Sequence, residues 1–210
     1  IRCFAGVPLV KLCGFALDNG LGGLEFAYGI PGSVGGAVYM NAGAYGGEMK
    51  DVLASVTALD INGNLHEYSA DELEMSYRHS RFTDSGEVIL SAEFRLQKAD
   101  KDSIKTRMSE LMEKRRSKQP LEFPSAGSTF KRPEGAYAAQ LIEECGLKGF
   151  TVGNAQVSEK HSGFVINRGG ASFDDVMAVI AEVKRTVAEK TGYKLECEPI
   201  IISEREEYRK

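Results

Sequence analysis

"YGIPGSVGGAVYMNAGAYGGEM" occupies residues 28–49, and seven of those 22 residues are glycine. Glycine loses more conformational freedom on folding than any other residue, so such a density needs a physical cause. Either the chain turns sharply, or something bulky lies against its backbone. The run matches neither GxxxxGK[ST] nor a GxGxxG placed after a strand, so neither phosphate-binding fingerprint applies. Gly32, Gly35, Gly36, Gly43, Gly46 and Gly47 still leave backbone N–H groups without side-chain cover. Such groups can line an anion or a flat ring. Tight turns with close helix packing account for the same glycines.

The flanks of the run show what it is embedded in. Upstream, Leu9, Leu12, Cys13, Ala16 and Leu17 recur at helical spacing, with Gly20 as the stop. Downstream, "VLASVTALDINGNLHEYS" alternates, turns at Asn62-Gly63 and alternates again, the pattern of a hairpin. "EVILSAEFRLQ" reads as a further strand. "DSIKTRMSELMEKRRSKQP" reads as a helix ended by Pro120, its late Lys and Arg residues suiting the helix dipole.

A second unit then begins. "PSAGSTFKRPEG" reads as a loop, and "AYAAQLIEECG" as a short helix with Gly146 just past its end. "VGNAQVSEKHSGFVINRGG" holds one or two strands around a polar turn. Ser172 and Asp175 form a capping box for a helix whose buried stripe is Val176, Val179, Ile180, Val183 and Val187. "KLECEPIII" closes the pattern as a strand. Strands and helices do not alternate regularly enough for a doubly wound sheet, so the expected class is α+β.

Composition bounds the function. The 210 residues fit one large domain or two small ones, with 42% hydrophobic and 27% charged residues. A net charge of −4 and a pI of about 5.6 offer no overall positive field for nucleic acid. No apolar run is long enough to span a membrane or to open the chain as a signal peptide, so a cytoplasmic protein without a membrane partner is expected. Cys3, Cys13, Cys145 and Cys197 form no CxxC pair, and His66, His79 and His161 are scattered, which argues against a zinc site and for reduced, buried thiols. The chain opens at Ile1 in mid-pattern, with no capping or turn signal before it, which predicts an upstream segment. Nothing in the pattern fixes an oligomeric state.

Four short motifs carry candidate chemistry. "EMSYRHSRF" sets Arg78, His79 and Arg81 together, and an arginine beside a tyrosine suits a carboxylate or phosphate; a solvated charged turn is the plainer reading. "SAGSTFKR" places Ser125 and Ser128 among small residues, followed by Lys131 and Arg132. No GxSxG elbow is present, so a hydrolytic nucleophile is poorly supported, and a turn serine is the plainer reading. "LECEPIII" sets Glu196 and Glu198 on one face of a strand, where two neighbouring glutamates can favour the protonated form of one; an exposed edge is the alternative. His161 is a loop histidine, most simply a solvated one.

In this order, "GIPGSVGGAVYMNAGAYGGE", "SYRHS", "PSAGSTFKRP" and "LECEPIII" closely resemble the UDP-N-acetylenolpyruvoylglucosamine reductase (MurB) family of peptidoglycan synthesis, and the resemblance runs from "AGVPL" to the last strand. It implies part of a vanillyl-alcohol-oxidase-type FAD-binding domain over residues 1–118, lacking its first subdomain, and a smaller α+β substrate-binding domain over 119–193. Residues 194–210 would be able to rejoin the first domain. It also implies a shorter subtype without a tyrosine-bearing insertion between Arg78 and Lys118.

By that resemblance, FAD is the cofactor and NADPH the hydride donor. The substrate is UDP-N-acetylglucosamine enolpyruvate, whose enolpyruvyl ether becomes a lactyl ether. Ile30, Gly32, Ser33, Gly35, Gly36, Asn41, Ala44 and Tyr45 become cofactor contacts. Arg78, Ser128 and Glu198 become the catalytic trio, and Lys118 the ligand of the nucleotide diphosphate, with Lys131, Arg132 and His161 also facing substrate. Many members of the family carry asparagine in place of Arg132 and glutamine in place of His161. Two other readings stay open: a fragment that holds only the UDP-sugar, and another flavin oxidoreductase of the same superfamily.

Overall fold

Hydrophobic periodicity places most elements where the chain forms them. The structure, a computed structural model, describes residues 1–204. The chain divides into two compact units, Ile1–Arg115 and Arg116–Lys210. The principal elements are β1 (Arg2–Phe4), α1 (Leu9–Asp18), α2 (Val34–Tyr39), β2 (Leu53–Leu59), β3 (Leu65–Ser69), β4 (Val88–Phe94) and α3 (Lys101–Lys118), followed by β5 (Ser125–Ser128), α4 (Ala138–Glu144), β6 (Thr151–Val152), β7 (Ala155–Val157), β8 (Phe164–Asn167) and α5 (Phe173–Thr191).

In the first unit, an antiparallel sheet runs in the order β1-β4-β2-β3. Leu9, Leu12, Cys13 and Ala16 of α1 join Val34 and Val38 of α2 and Val56 and Ala58 of β2 in one core. The expected two-residue turn at Asn62-Gly63 is instead a wider loop. Gly63 N–H bonds the Asp60 carbonyl at 3.1 Å, Asp60 N–H bonds the Asn64 carbonyl at 3.0 Å, and Gly63 takes φ +85°. That geometry is a turn followed by a left-handed glycine, which Asn62-Gly63 serves as well as a tighter hairpin.

In the second unit, the antiparallel sheet runs β6-β7-β8-β5. Val179, Ile180, Val183 and Val187 of α5 are buried against Ile142 of α4 and Val157 of β7. Each fully buried aliphatic side chain contributes about 1.5–3 kcal/mol. The capping box closes as read: Asp175 N–H bonds Ser172 Oγ at 3.1 Å, and Ser172 N–H bonds the Asp175 carboxylate at 3.0 Å.

Two expectations change. "SAGS", read as loop, is strand β5, because antiparallel pairing with β8 overrides the weak strand preference of small residues. The closing strand over "KLECEPIII" reduces, among the described residues, to one antiparallel bridge between Phe130 and Cys197. Pro199 lacks an N–H and cannot continue the ladder. This bridge lies in the second unit; residues 205–210 of the segment expected to rejoin the first domain lie outside the described residues.

Candidate functional site

The glycine run resolves into two kinds of position. Gly35, Gly43 and Gly47 make room for the protein itself. A Cβ at Gly35 would stand 2.8 Å from the Ala5 side chain, at Gly43 2.8 Å from the Gly47 carbonyl, and at Gly47 2.7 Å from the Phe26 ring. Gly32 and Gly46 have left-handed φ of +146° and +88° with open space where a side chain would stand. Gly36 is likewise open, meeting only Ser33 Oγ at 3.6 Å. Both causes of glycine density therefore operate, at different residues.

The amides at the start of α2 do not form an anion cradle. Val34 N–H bonds the Val7 carbonyl at 2.9 Å, Gly35 N–H the Ala5 carbonyl at 2.8 Å, and Gly36 N–H the Ser33 hydroxyl at 3.3 Å. The unshielded N–H groups expected at Gly35 and Gly36 are thus spent within the fold. Ile30, Ser33 and Ala44 are half-buried and Tyr45 is exposed. Asn41 is 1% exposed, and its carboxamide is fully occupied by Glu48, Ser76 and Lys50.

One functional candidate escaped the sequence reading. The Arg115 side chain lies across Gly29, its Cδ 3.0 Å from where a Cβ would stand. It is half-buried and has no ion pair or hydrogen bond among the described residues. Burial lowers its pKa, and the charge of nearby Tyr45 opposes that. A desolvated cation without an ion pair among the described residues suits an anionic ligand. Ile104, Met108 and Leu111 are the buried face of α3, and Arg115 continues their four-three-four spacing. That stripe was the available signal.

Arg78 and Arg81 have different fates. Arg81 is absorbed by the fold: its guanidinium covers the Tyr68 ring at 3.7 Å and sits 3.5 Å from the Glu87 carboxylate. Arg78 occupies a four-residue turn closed by reciprocal bonds between Ser76 and His79, at 3.1 and 3.2 Å. It is half-buried, 4.9 Å from the Tyr77 ring centre, and has φ +55°. A non-glycine residue held there costs about 1–2 kcal/mol, a strain that clusters at functional positions.

In the second unit, strand pairing brings the other candidates together. Ser128 pairs with Phe164 at the end of β5. Glu198 N–H bonds the Thr129 carbonyl at 2.9 Å, so the Glu198 backbone lies beside the residue that follows Ser128. Ser128 and Glu198 are half-buried. Glu196 is exposed and 3.3 Å from Lys131 Nζ, a surface pair worth little. The exposed Arg132 covers the Tyr137 ring at 4.0 Å. Gly163 N–H donates to His161 Nδ1 at 3.1 Å, which leaves Nε2 as the ring's donor. Burial lowers the His161 pKa, and the charges of Lys148 and Lys118 add to that, so the ring is neutral near pH 7. Lys118, exposed at the end of α3, therefore lies within electrostatic reach of His161. A separate concavity of about 290 Å³ is lined by Phe123, Gln156, Lys160 and Arg168 among others and contains none of the expected site residues.

Comparison with known proteins decides the family. Residues 1–69 match a FAD binding domain, and residues 119–202 match the C-terminal domain of UDP-N-acetylenolpyruvoylglucosamine reductase. The crystal structure of that reductase from Thermus caldophilus superposes with a TM-score of 0.83 at 38% identity, covering 94% of this chain and 71% of its own. The chain belongs to the UDP-N-acetylenolpyruvoylglucosamine reductase family. The reductase of Agathobacter rectalis is 56% identical over 204 residues, and that of Clostridium novyi 55% over 203. Each alignment covers 97% of this chain but only 65% and 66%, respectively, of the relative's own length. The two matched regions also give the architecture as α+β, an FAD-binding domain followed by the reductase C-terminal domain, with FAD as the cofactor. The open space beside Gly32, Gly36 and Gly46, and an Arg115 side chain without an ion pair among the described residues, fit a flat ring that carries phosphate.

Proposed function

We propose that this chain is the greater part of a reductase that converts UDP-N-acetylglucosamine enolpyruvate to UDP-N-acetylmuramate, using NADPH and FAD, in the cytoplasm. The observation that carries this reading is the strained Arg78 turn in the same chain as the adjoining Ser128 and Glu198 segments. FAD, when bound, supplies hydride to the terminal vinyl carbon of the substrate.

The protein's own task is charge. Hydride addition leaves a carbanion next to a carboxylate, and that developing charge must be met where it forms. Arg78 pairs with the substrate carboxylate. Glu198 is the third catalytic group beside the forming charge. Ser128 gives a proton to the internal carbon; a hydroxyl is a weak acid, but an enolate is a strongly basic acceptor. Lys118 holds the diphosphate, and Lys131, Arg132 and His161 border the nucleotide. His161, neutral with Nε2 as donor, can replace the hydrogen bond of a glutamine amide.

Around the cofactor, Ile30, Gly32, Ser33, Gly36, Ala44 and Tyr45 make contact, and Arg115 supplies positive charge. Gly35 and Asn41 shape the run from behind. The FAD-binding part extends over 1–118 and the substrate-binding part over 119–193. Anaerobic stopped-flow on the whole protein tests the reading. NADPH should bleach the bound flavin, and the enolpyruvyl sugar nucleotide should restore its colour; failure of the second step overturns the assignment. The chain's 65% share of its relatives favours one other reading, a piece that binds only the UDP-sugar. Saturable binding of FAD to the 210-residue chain would remove it.

A further inference from the structure

The Arg78 turn is tied at both ends to the glycine run, at the point where α2 ends. Asn41 donates through one Nδ2 hydrogen to the Ser76 carbonyl at 3.0 Å, and Ser76 closes the turn at its base. At the other end, Ser80 Oγ donates to the Tyr39 carbonyl at 2.8 Å. Asn41 and Ser80 are 1% and 0% exposed. The Asn41 amide also donates to Glu48 Oε2 at 2.7 Å and accepts from Lys50 N–H at 3.0 Å. One carboxamide thus joins the glycine run, the segment after it and the base of the turn, across 35 residues of sequence. Asn41 itself holds φ +42°, a region that asparagine tolerates better than most residues.

We propose that Asn41 is a positioning residue that fixes the Arg78 turn relative to the cofactor-contacting run, through its bond to the Ser76 carbonyl. The proposal rests on the reading of Arg78 as the partner of the substrate carboxylate. A carboxamide is required, because both of its hydrogens are used and both acceptors would repel a carboxylate. Glu48 Oε2 also meets Lys50 Nζ at 3.2 Å, and without Asn41 the Ser76 carbonyl would keep, among the described residues, the His79 N–H alone.

The test separates the two bonds. Asn41→Asp sets a carboxylate against Glu48 and against the Ser76 carbonyl. Adding Glu48→Gln returns a donor to the first contact but not to the second. The paired variant, made in the whole protein, should regain part of the unfolding midpoint that Asn41→Asp loses. Its reoxidation by the enolpyruvyl sugar nucleotide should slow at least about tenfold more than its reduction by NADPH does. If Asn41 acts through Arg78, adding Arg78→Ala to the paired variant causes less further loss than Arg78→Ala causes alone. Wild-type reoxidation in the paired variant, or fully additive losses, overturns the positioning role. Arg78→Ala with unimpaired reoxidation overturns instead the reading of Arg78. Should the paired variant fail to fold, Asn41→Gly, which suits the positive φ, carries the same cycle.

Discussion

The two units hold their candidate residues by opposite means. In the first unit, Arg78 sits in a left-handed turn held by buried polar side chains, Asn41 and Ser80. In the second, Ser128 ends an antiparallel strand whose register against β8 shifts between Ser125 and Ser128, with Gly127 at φ +80°, and Glu198 is aligned by a single bridge and two backbone hydrogen bonds. In the first unit the positive φ falls on an arginine, at a cost in stability, whereas in the second it falls on Gly127, which adopts it without a side-chain penalty. In the proposed reaction, a guanidinium that meets a carboxylate has a directional, bidentate contact to make, while a hydroxyl that gives up a proton has a single contact.

Removing the proposed proton donor tests the second unit and has the largest expected effect. Ser128→Ala should leave flavin reduction by NADPH near normal and slow reoxidation by substrate about 10²–10⁴-fold, the span of general acid catalysis. The strand should be undisturbed, since alanine fits β5 as well as serine does, and the unfolding midpoint should not move. Equal losses in the two half-reactions would remove Ser128 from its role.

Arg78→Gly tests the strained side, and here activity and stability should part. Glycine accepts φ +55° without penalty, so the protein should gain about 1 kcal/mol of stability. Reoxidation by substrate should still fall, by about 10²-fold, as when one charge-stabilising donor is removed from an active site. Denaturant unfolding and stopped-flow reoxidation on the same sample read both quantities. A variant that is both less stable and slower would mean that the turn carries no strain worth relieving, and the contrast between the units would collapse.

Much of this was legible in the sequence, for identifiable reasons. Ser172 and Asp175 announce the cap of α5, and its valine stripe announces the buried face, because both depend on spacing within one element. The α+β class followed from the order of periodic segments. Three features were hidden because they depend on distant parts of the chain. "SAGS" becomes a strand only through its pairing with β8. Gly35 and Gly47 look like ligand cradles until Ala5 and Phe26 are seen against them. The left-handed φ of Arg78 has no local signature, since turns of this shape ordinarily announce themselves with glycine or asparagine. Arg115 is the intermediate case: its helical spacing was readable, but its burial was masked by the basic residues around it.

The smallest expected effect concerns the frames rather than the sites. The Asp175 carboxylate accepts from Ser172 N–H and, at 3.4 Å, from Asn154 N–H, which pulls its pKa below the ordinary value. It also explains Gly153, where a Cβ would collide with that carboxylate at 2.4 Å. Asp60 plays the matching part in the first unit, its pKa held down first by the Asn64 N–H and side-chain amide and then by His66. A carboxylate whose folded pKa is depressed contributes stability above its unfolded pKa and loses it as pH falls through the folded value. The unfolding midpoint should therefore decline from about pH 5 downward. Asp175→Asn should lower the midpoint at neutral pH and flatten part of that decline, and Asp60→Asn should flatten a separate part. If the two losses are independent, acid weakens each unit through its own aspartate, and the strained turn and the strand register keep their geometry until the frame that holds them unfolds. Strongly coupled losses would mean that the two units melt as one, and that the strain at Arg78 is balanced by the stability of the whole chain rather than of its own unit.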